Sequence, residues 1–145
     1  MTHIKPTHAE EIGRAAMAFQ RECTGVTPKS VTVLLGESTL VVTLHGAYSL
    51  AEIEMARKPE GAARVHEFHR RLFETAALAL HGEFKRIIEV DVSASTLELD
   101  SNCGRLVEFF PSGDIIQVFR LSRRVPTESW RSPGGVESPK TPVAA

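Results

Sequence analysis

The most constraining feature of the chain is a stretch of apolar residues at helical spacing across 62–81. Val65, Phe68, Leu72, Phe73, Ala76, Ala79 and Leu80 fall on one side, with Glu67, Arg70, Arg71 and Glu74 on the other. A helix of this kind must lay its apolar stripe on another part of the chain. Gly82 follows as the expected stop.

A second helix is predicted over 7–23. Thr7 is its N-cap, Glu10 stands in the capping-box position, and Ile12, Ala15, Ala16, Phe19 and Cys23 make its stripe. On that stripe Cys23 has a packing role. Thr24-Gly25 ends the helix, and Pro28 lies just beyond. The partners for both stripes are β. Segments 30–35 (SVTVLL) and 39–45 (TLVVTLH) are rich in β-branched residues, and Gly36-Glu37-Ser38 between them predicts a hairpin loop. Ser49 caps a short helix over 51–57 with Glu52 at the third position, and Lys58-Pro59-Glu60-Gly61 separates it from the long helix.

After the long helix, 86–93 and 105–110 read as strands joined through the turn-rich 100–104, and 115–121 as a further strand. On the first of these Glu89 and Asp91 alternate onto a solvent side, away from Ile88, Val90 and Val92. The order αββααββ(β) predicts an α+β fold, an antiparallel sheet of four to five strands with helices packed on one face. Its αββαββ core is a circular permutation of the ferredoxin-like order, which carries no function. Pro126, Pro133, Pro139 and Pro142 among Ser, Thr and Gly predict a flexible tail over 123–145, following one domain over 7–122.

Seventeen basic and 18 acidic residues give a formal net charge of -1, which excludes a general nucleic-acid binder. An RNA-binding module is disfavoured further by the lack of a stacking aromatic motif. Two cysteines, Cys23 and Cys103, are too few for a disulfide framework. The first residues contain no apolar signal-peptide core, and the longest apolar stretch, 76–80, is far short of the roughly 18 residues a span needs. These features predict a cytoplasmic protein without direct membrane insertion.

No constellation of residues specifies a reaction. His66 and His69 share a helix face and, with His45, His81 and Glu67, suggest a zinc site, but the spacing is not His-Glu-x-x-His and no Cys-x-x-Cys accompanies it. The bland reading, partly exposed structural histidines, is preferred. Glu52, Glu54, Glu89 and Asp91 show no pairing of the kind acid/base chemistry requires. Neither cysteine has a flanking signature of a nucleophile. The 25–29 and 36–38 loops lack the spacing of phosphate loops, and Arg120, Arg123 and Arg124 read as a solvated junction. The chain is therefore expected to be no enzyme, with no cofactor and no metal.

Several ordered pieces resemble the MpsC-like family, named for an accessory protein of a sodium-translocating, membrane-potential-generating system. They are Gly25-Val26-Thr27-Pro28-Lys29, Leu44-His45-Gly46, Leu50-Ala51-Glu52, Glu60-Gly61, Asp91-Val92-Ser93 and Gly104-Arg105-Leu106-Val107-Glu108-Phe109. The resemblance spans roughly 10–110, and Thr27 departs from it where the family tends to have glycine. It carries no catalytic residue onto this chain. It implies an accessory or regulatory domain that binds a protein partner, such as a membrane transporter subunit met from the cytoplasmic side. Matching positions with a full structural explanation are Pro28, Gly46, Gly61 and Gly104; Lys29, Glu52, Asp91 and Ser93 are the candidate contacts. The alternative is a small-ligand or metal-binding sensor using His66 and His69. A homodimer is also expected, because an open small sheet leaves edges to be paired.

Overall fold

A computed structural model describes residues 5–99 and 113–133. Its elements run α1 (His8–Thr24), β1 (Ser30–His45), α2 (Leu50–Met55), α3 (Pro59–Ile88), β2 (Val92–Leu99) and β3 (Ile115–Arg131). The fold is α+β, and the sheet is antiparallel in the order β1-β3-β2. The expected strand over 105–110, the 100–104 turn and Gly104 lie outside the described residues.

The helix caps follow local chemistry. Thr7 Oγ1 accepts from the Glu10 N–H at 3.1 Å, and Gly25 closes α1 at φ 79, in the left-handed region. Ser49 and Glu52 form a complete capping box on α2. The long helix departs from the reading. Pro59, expected in a separating loop, occupies the first turn of α3, and the helix passes through Gly82 to Ile88. An exposed glycine inside a helix costs about 1 kcal/mol relative to alanine. Burial of Phe84, Ile87 and Ile88 along the continued stripe outweighs it. The C-cap is Glu89 at φ 60, whose N–H donates to Lys85 O at 2.7 Å. The strand expected over 86–93 is corrected accordingly: 86–88 are helical, Glu89 is a cap, and only Val92 and Ser93 are strand.

Among the described residues the sheet has three continuous strands where four to five were expected. Ser30–His45 is one strand rather than two strands with a loop at Gly36-Glu37-Ser38. It is nevertheless far from straight. Sixteen extended residues would span about 50 Å, yet the Lys29 N–H donates to His45 O at 2.8 Å, across the two ends of β1. The strand doubles back about Glu37, whose φ is 51. β3 follows it around, pairing from Leu44↔Ile115 through Glu37↔Val125 to Thr32↔Arg131. The four-residue advance from Leu35 to Thr39 on β1 is matched by an eight-residue advance from Arg120 to Glu128 on β3. An outer track around a bend needs this extra length, and the Glu37↔Val125 pair, between two register shifts, is the point where β3 holds the bend.

β3 also overrides the first part of the expected tail: residues 123–131 are strand, paired with β1, while 134–145 lie outside the described residues. Pro126 falls within the irregular register, where the missing N–H is tolerated. Arg123 Nη2 donates to Glu89 O at 3.0 Å and Arg124 Nη2 lies 2.8 Å from Glu37 Oε1, so both arginines pin the outside of the bend.

One face of the sheet carries Val31, Val33, Leu35, Leu40, Val42, Leu44, Ile115, Phe119 and Leu121, all buried. α1 and α3 pack on it, with Phe84 edge-on to Phe119 at 5.0 Å. The opposite face, with Thr32, Leu34, Val41, Thr43, Ile116 and Val118, is more accessible, and Leu34 is 54% exposed. α1 comes unusually close to the sheet at Gly13, where any Cβ would overlap the Trp130 ring. Cys23, expected in the packing stripe, is exposed near the end of α1.

Candidate functional site

The close approach of α1 to Trp130 builds a groove. One wall is the outer face of α1, with Arg14, Met17, Ala18 and Arg21. The other comprises Thr27, Pro28 and Lys29 from the α1–β1 connection, and Trp130, Ser132 and Pro133 from the end of β3. Its volume is about 500 Å³. Arg14 and Arg21 stand seven residues apart, two helical turns, and so share a side of the helix. Arg14 lies over the Trp130 ring at 5.8 Å, and its Nε and Nη2 both donate to Glu10 Oε2, at 3.0 and 2.7 Å. Among the described residues, neither Arg21 nor Lys29 has a carboxylate within ion-pair distance, and no acidic residue lines the groove.

Lys29 is held from two directions. Its backbone N–H binds His45 O, and its aliphatic chain lies on Gly46, where an added Cβ would come within 2.8 Å of Cδ. Gly46 has φ 60, so the position demands glycine for its backbone and for the room it leaves Lys29. Pro28 is buried beside it.

The other candidate contacts lie elsewhere. Glu52 belongs to the α2–α3 junction: Oε1 accepts the Ser49 N–H at 2.8 Å and Oε2 meets His69 Nε2 at 3.1 Å. Burial opposes its charged form, but the hydrogen bonds from His69 and the Ser49 backbone prevail and hold the carboxyl below its ordinary 4.5. Gly61 supports this junction, because a side chain there would collide with the Met55 carbonyl. Asp91 is exposed and pairs with Lys85 Nζ at 2.9 Å, while Ser93 Oγ donates to Arg120 O at 3.2 Å. Lys29, Glu52 and the Asp91–Ser93 pair thus occupy three separate places.

Of the histidines, His45 and His81 are half-buried as expected, whereas His66 and His69 are not the partly exposed groups expected. His66 and His69 are 4% and 3% exposed, and His69 stacks on Tyr48 at 5.2 Å. His45 joins another cluster: Nε2 is 2.8 Å from Thr32 Oγ1 and Nδ1 is 3.2 Å from Asp114 Oδ2, while Asp114 Oδ1 accepts the Gly46 N–H at 2.9 Å. His81 Nε2 lies 2.9 Å from Ser95 Oγ, and burial pushes its pKa down. Among the described residues, no group of three or more His, Cys, Asp or Glu side chains is placed to hold a metal ion.

Sequence reasoning missed Arg14, Arg21 and Trp130. The seven-residue spacing of the two arginines was a readable signal. Trp130 was hidden because its segment looked like a tail.

The molecule is thus a helix-covered antiparallel sheet bearing an open, cationic groove with an indole in its wall. Over residues 5–111 the chain matches the family described as "Na+-translocating membrane potential-generating system (MpsC)", and it belongs to that family. No curated protein and no solved structure matches it. No helix among the described residues is long and apolar enough to cross a membrane.

Proposed function

We propose that this chain is a non-enzymatic accessory domain that binds a subunit of a membrane ion or bicarbonate transport system from the cytoplasmic side. Its contact surface is the Arg14–Arg21–Lys29 groove, and the segment it receives is acidic, with an apolar side chain to lie on Trp130 and Met17. The observation that carries this reading is the combination of two unpaired cations, an indole and no acidic side chain in one groove. Family membership supplies the membrane-system context.

The test is crosslinked affinity purification of the tagged protein from its own host, comparing wild type with the double variant Arg21→Glu/Lys29→Glu. Enrichment of a transport subunit that disappears in the variant, at unchanged melting temperature, is the expected result. If only the protein itself is recovered, or the subunit persists in the variant, the groove reading fails. Turnover of a substrate abolished by one polar substitution would overturn the non-enzymatic reading. The sensor alternative through His66 and His69 is less favoured, because both rings are buried and His69 Nε2 already meets Glu52.

We also place a second copy of the chain on the sheet face that the described helices leave uncovered, where exposed Leu34 and half-buried Val41, Ile116 and Val118 lie among threonines. Light scattering at the monomer mass across a wide concentration range would refute this.

A further inference from the structure

Between α1, α3 and the sheet lies a partly open cavity of about 20 Å³. Its walls are mostly apolar, with Phe19, Leu72, Phe73 and Leu80 among them, yet Gln20 from α1 and Gln117 from β3 both line it, alongside Cys23 and the His69 ring already held by Glu52. Gln20 is 8% exposed and Gln117 4% exposed. Gln20 Nε2 and Gln117 Oε1 are fully buried without a hydrogen-bond partner among the described residues. A buried amide left unpaired costs about 1–3 kcal/mol. Two in one small cavity are therefore a joint feature to be explained rather than independent imperfections.

We propose that this cavity is a binding site for a single neutral, water-sized molecule, water itself in the resting protein. Size and charge both set this class. One water needs roughly 10–15 Å³ of such space, so about 20 Å³ admits one and not two. The two orphan atoms are one donor and one acceptor. A cation would face the Gln20 N–H and an anion the Gln117 carbonyl oxygen, so neither is favoured. Water answers both: its oxygen accepts from Gln20 Nε2, and one O–H donates to Gln117 Oε1. The bridge joins α1 to β3, the two elements that also build the cationic groove, but it does not depend on that groove's function.

The site is not a relic of mismatched packing. The register sets Gln117 opposite Val42 on β1 and Leu97 on β2, so it lies in the inward row of the central strand, where an aliphatic residue is the default. Gln20 lies in the buried part of α1, one turn beyond buried Ala16. Each amide by itself would be disfavoured in such a place; together, with one water, both are satisfied.

The experiment is water–protein cross-relaxation NMR on the labelled full chain, reading the side-chain amide of Gln20 and the methyl and ring protons around Gln117. Cross-peaks of the sign given by a water resident for longer than nanoseconds are expected, and those to the methyl and ring protons, which both proteins share, vanish in Gln20→Met/Gln117→Met. Absence of those cross-peaks in the wild type, or their persistence in the double variant, overturns the proposal. If the double variant does not fold, the wild-type spectrum still decides. Melting temperatures give a second reading: each single Met substitution is expected to lower the midpoint, and the double to recover most of that loss. A double variant that loses the sum of the two single shifts would count against the bridge.

Discussion

Two histidine–carboxylate pairs in this molecule are built to one plan and serve different ends. In each, one carboxylate oxygen accepts a backbone N–H and the other meets a histidine ring. Glu52 takes the Ser49 N–H and His69; Asp114 takes the Gly46 N–H and His45. The first joins two consecutive helices, and the His69 side chain is only 2% exposed. The second lies where the two ends of the bent β1 meet the start of β3, and its histidine side chain is 29% exposed. The two carboxylates are similarly buried, at 16% for Glu52 and 13% for Asp114, so the contrast lies in the rings: in the buried pair the carboxylate is the ring's substitute for water, and in the open pair water competes for the histidine. The same hydrogen bonds should therefore be worth more at the helix junction than at the strand ends.

The largest expected effect tests the buried member. Glu52→Ala removes the capping box of α2 and leaves His69 Nε2 without its acceptor, so a loss of about 2–4 kcal/mol is expected in denaturant melts, combining a lost cap and a buried unmet group. Asp114→Ala at the open pair should cost less, about 1–2 kcal/mol, because solvent reaches the freed His45. Equal losses at the two sites would show that burial does not separate them.

Acid sharpens the same contrast. The Glu52 carboxyl titrates below its ordinary 4.5 in the folded protein. A group with a depressed folded pKa contributes stability above its unfolded pKa and loses it as pH falls through the folded one. Stability should thus decline as pH drops from about 5 through that lowered value. Glu52→Gln should flatten the decline, as measured by urea midpoints over the acid range. Thr32→Val, which removes only the hydroxyl against His45 Nε2, should cost about 0.5–1.5 kcal/mol. The smallest effect is expected at the fully exposed Glu67, which pairs with Arg70 and Arg71 on the outer face of α3. There Glu67→Ala should leave the melting temperature within experimental error, since solvated ion pairs contribute little.

Much of the fold was legible because local chemistry and periodicity agreed. Thr7, Ser49 with Glu52, and Gly25 announced caps that form, and the β-branched residues of 30–35 and 39–45 announced extended chain. Reading failed where a local signal was overruled by packing. Gly82 looked like a stop, but Leu80, Phe84, Ile87 and Ile88 continue a stripe whose burial outweighs one glycine. Pro126 and its polar neighbours looked like tail, but β1 offers 123–131 a strand to pair with around its bend. For the candidate site, Lys29 was visible and its neighbours were not. Arg14 and Arg21 are ordinary helix-surface residues until Trp130, more than a hundred positions away, is set against Gly13.

The sequence by itself therefore determined the α+β class, the starts of the first two helices and the extended character of 30–35 and 39–45. Each depends on interactions within a few residues, or on a period that the chain carries with it. Only the tertiary structure decided that β1 doubles back, that β3 tracks it on the outside, and that a cationic groove forms at their open end. Those outcomes depend on pairing and close approach between distant segments, whose free energy appears only once both are in place.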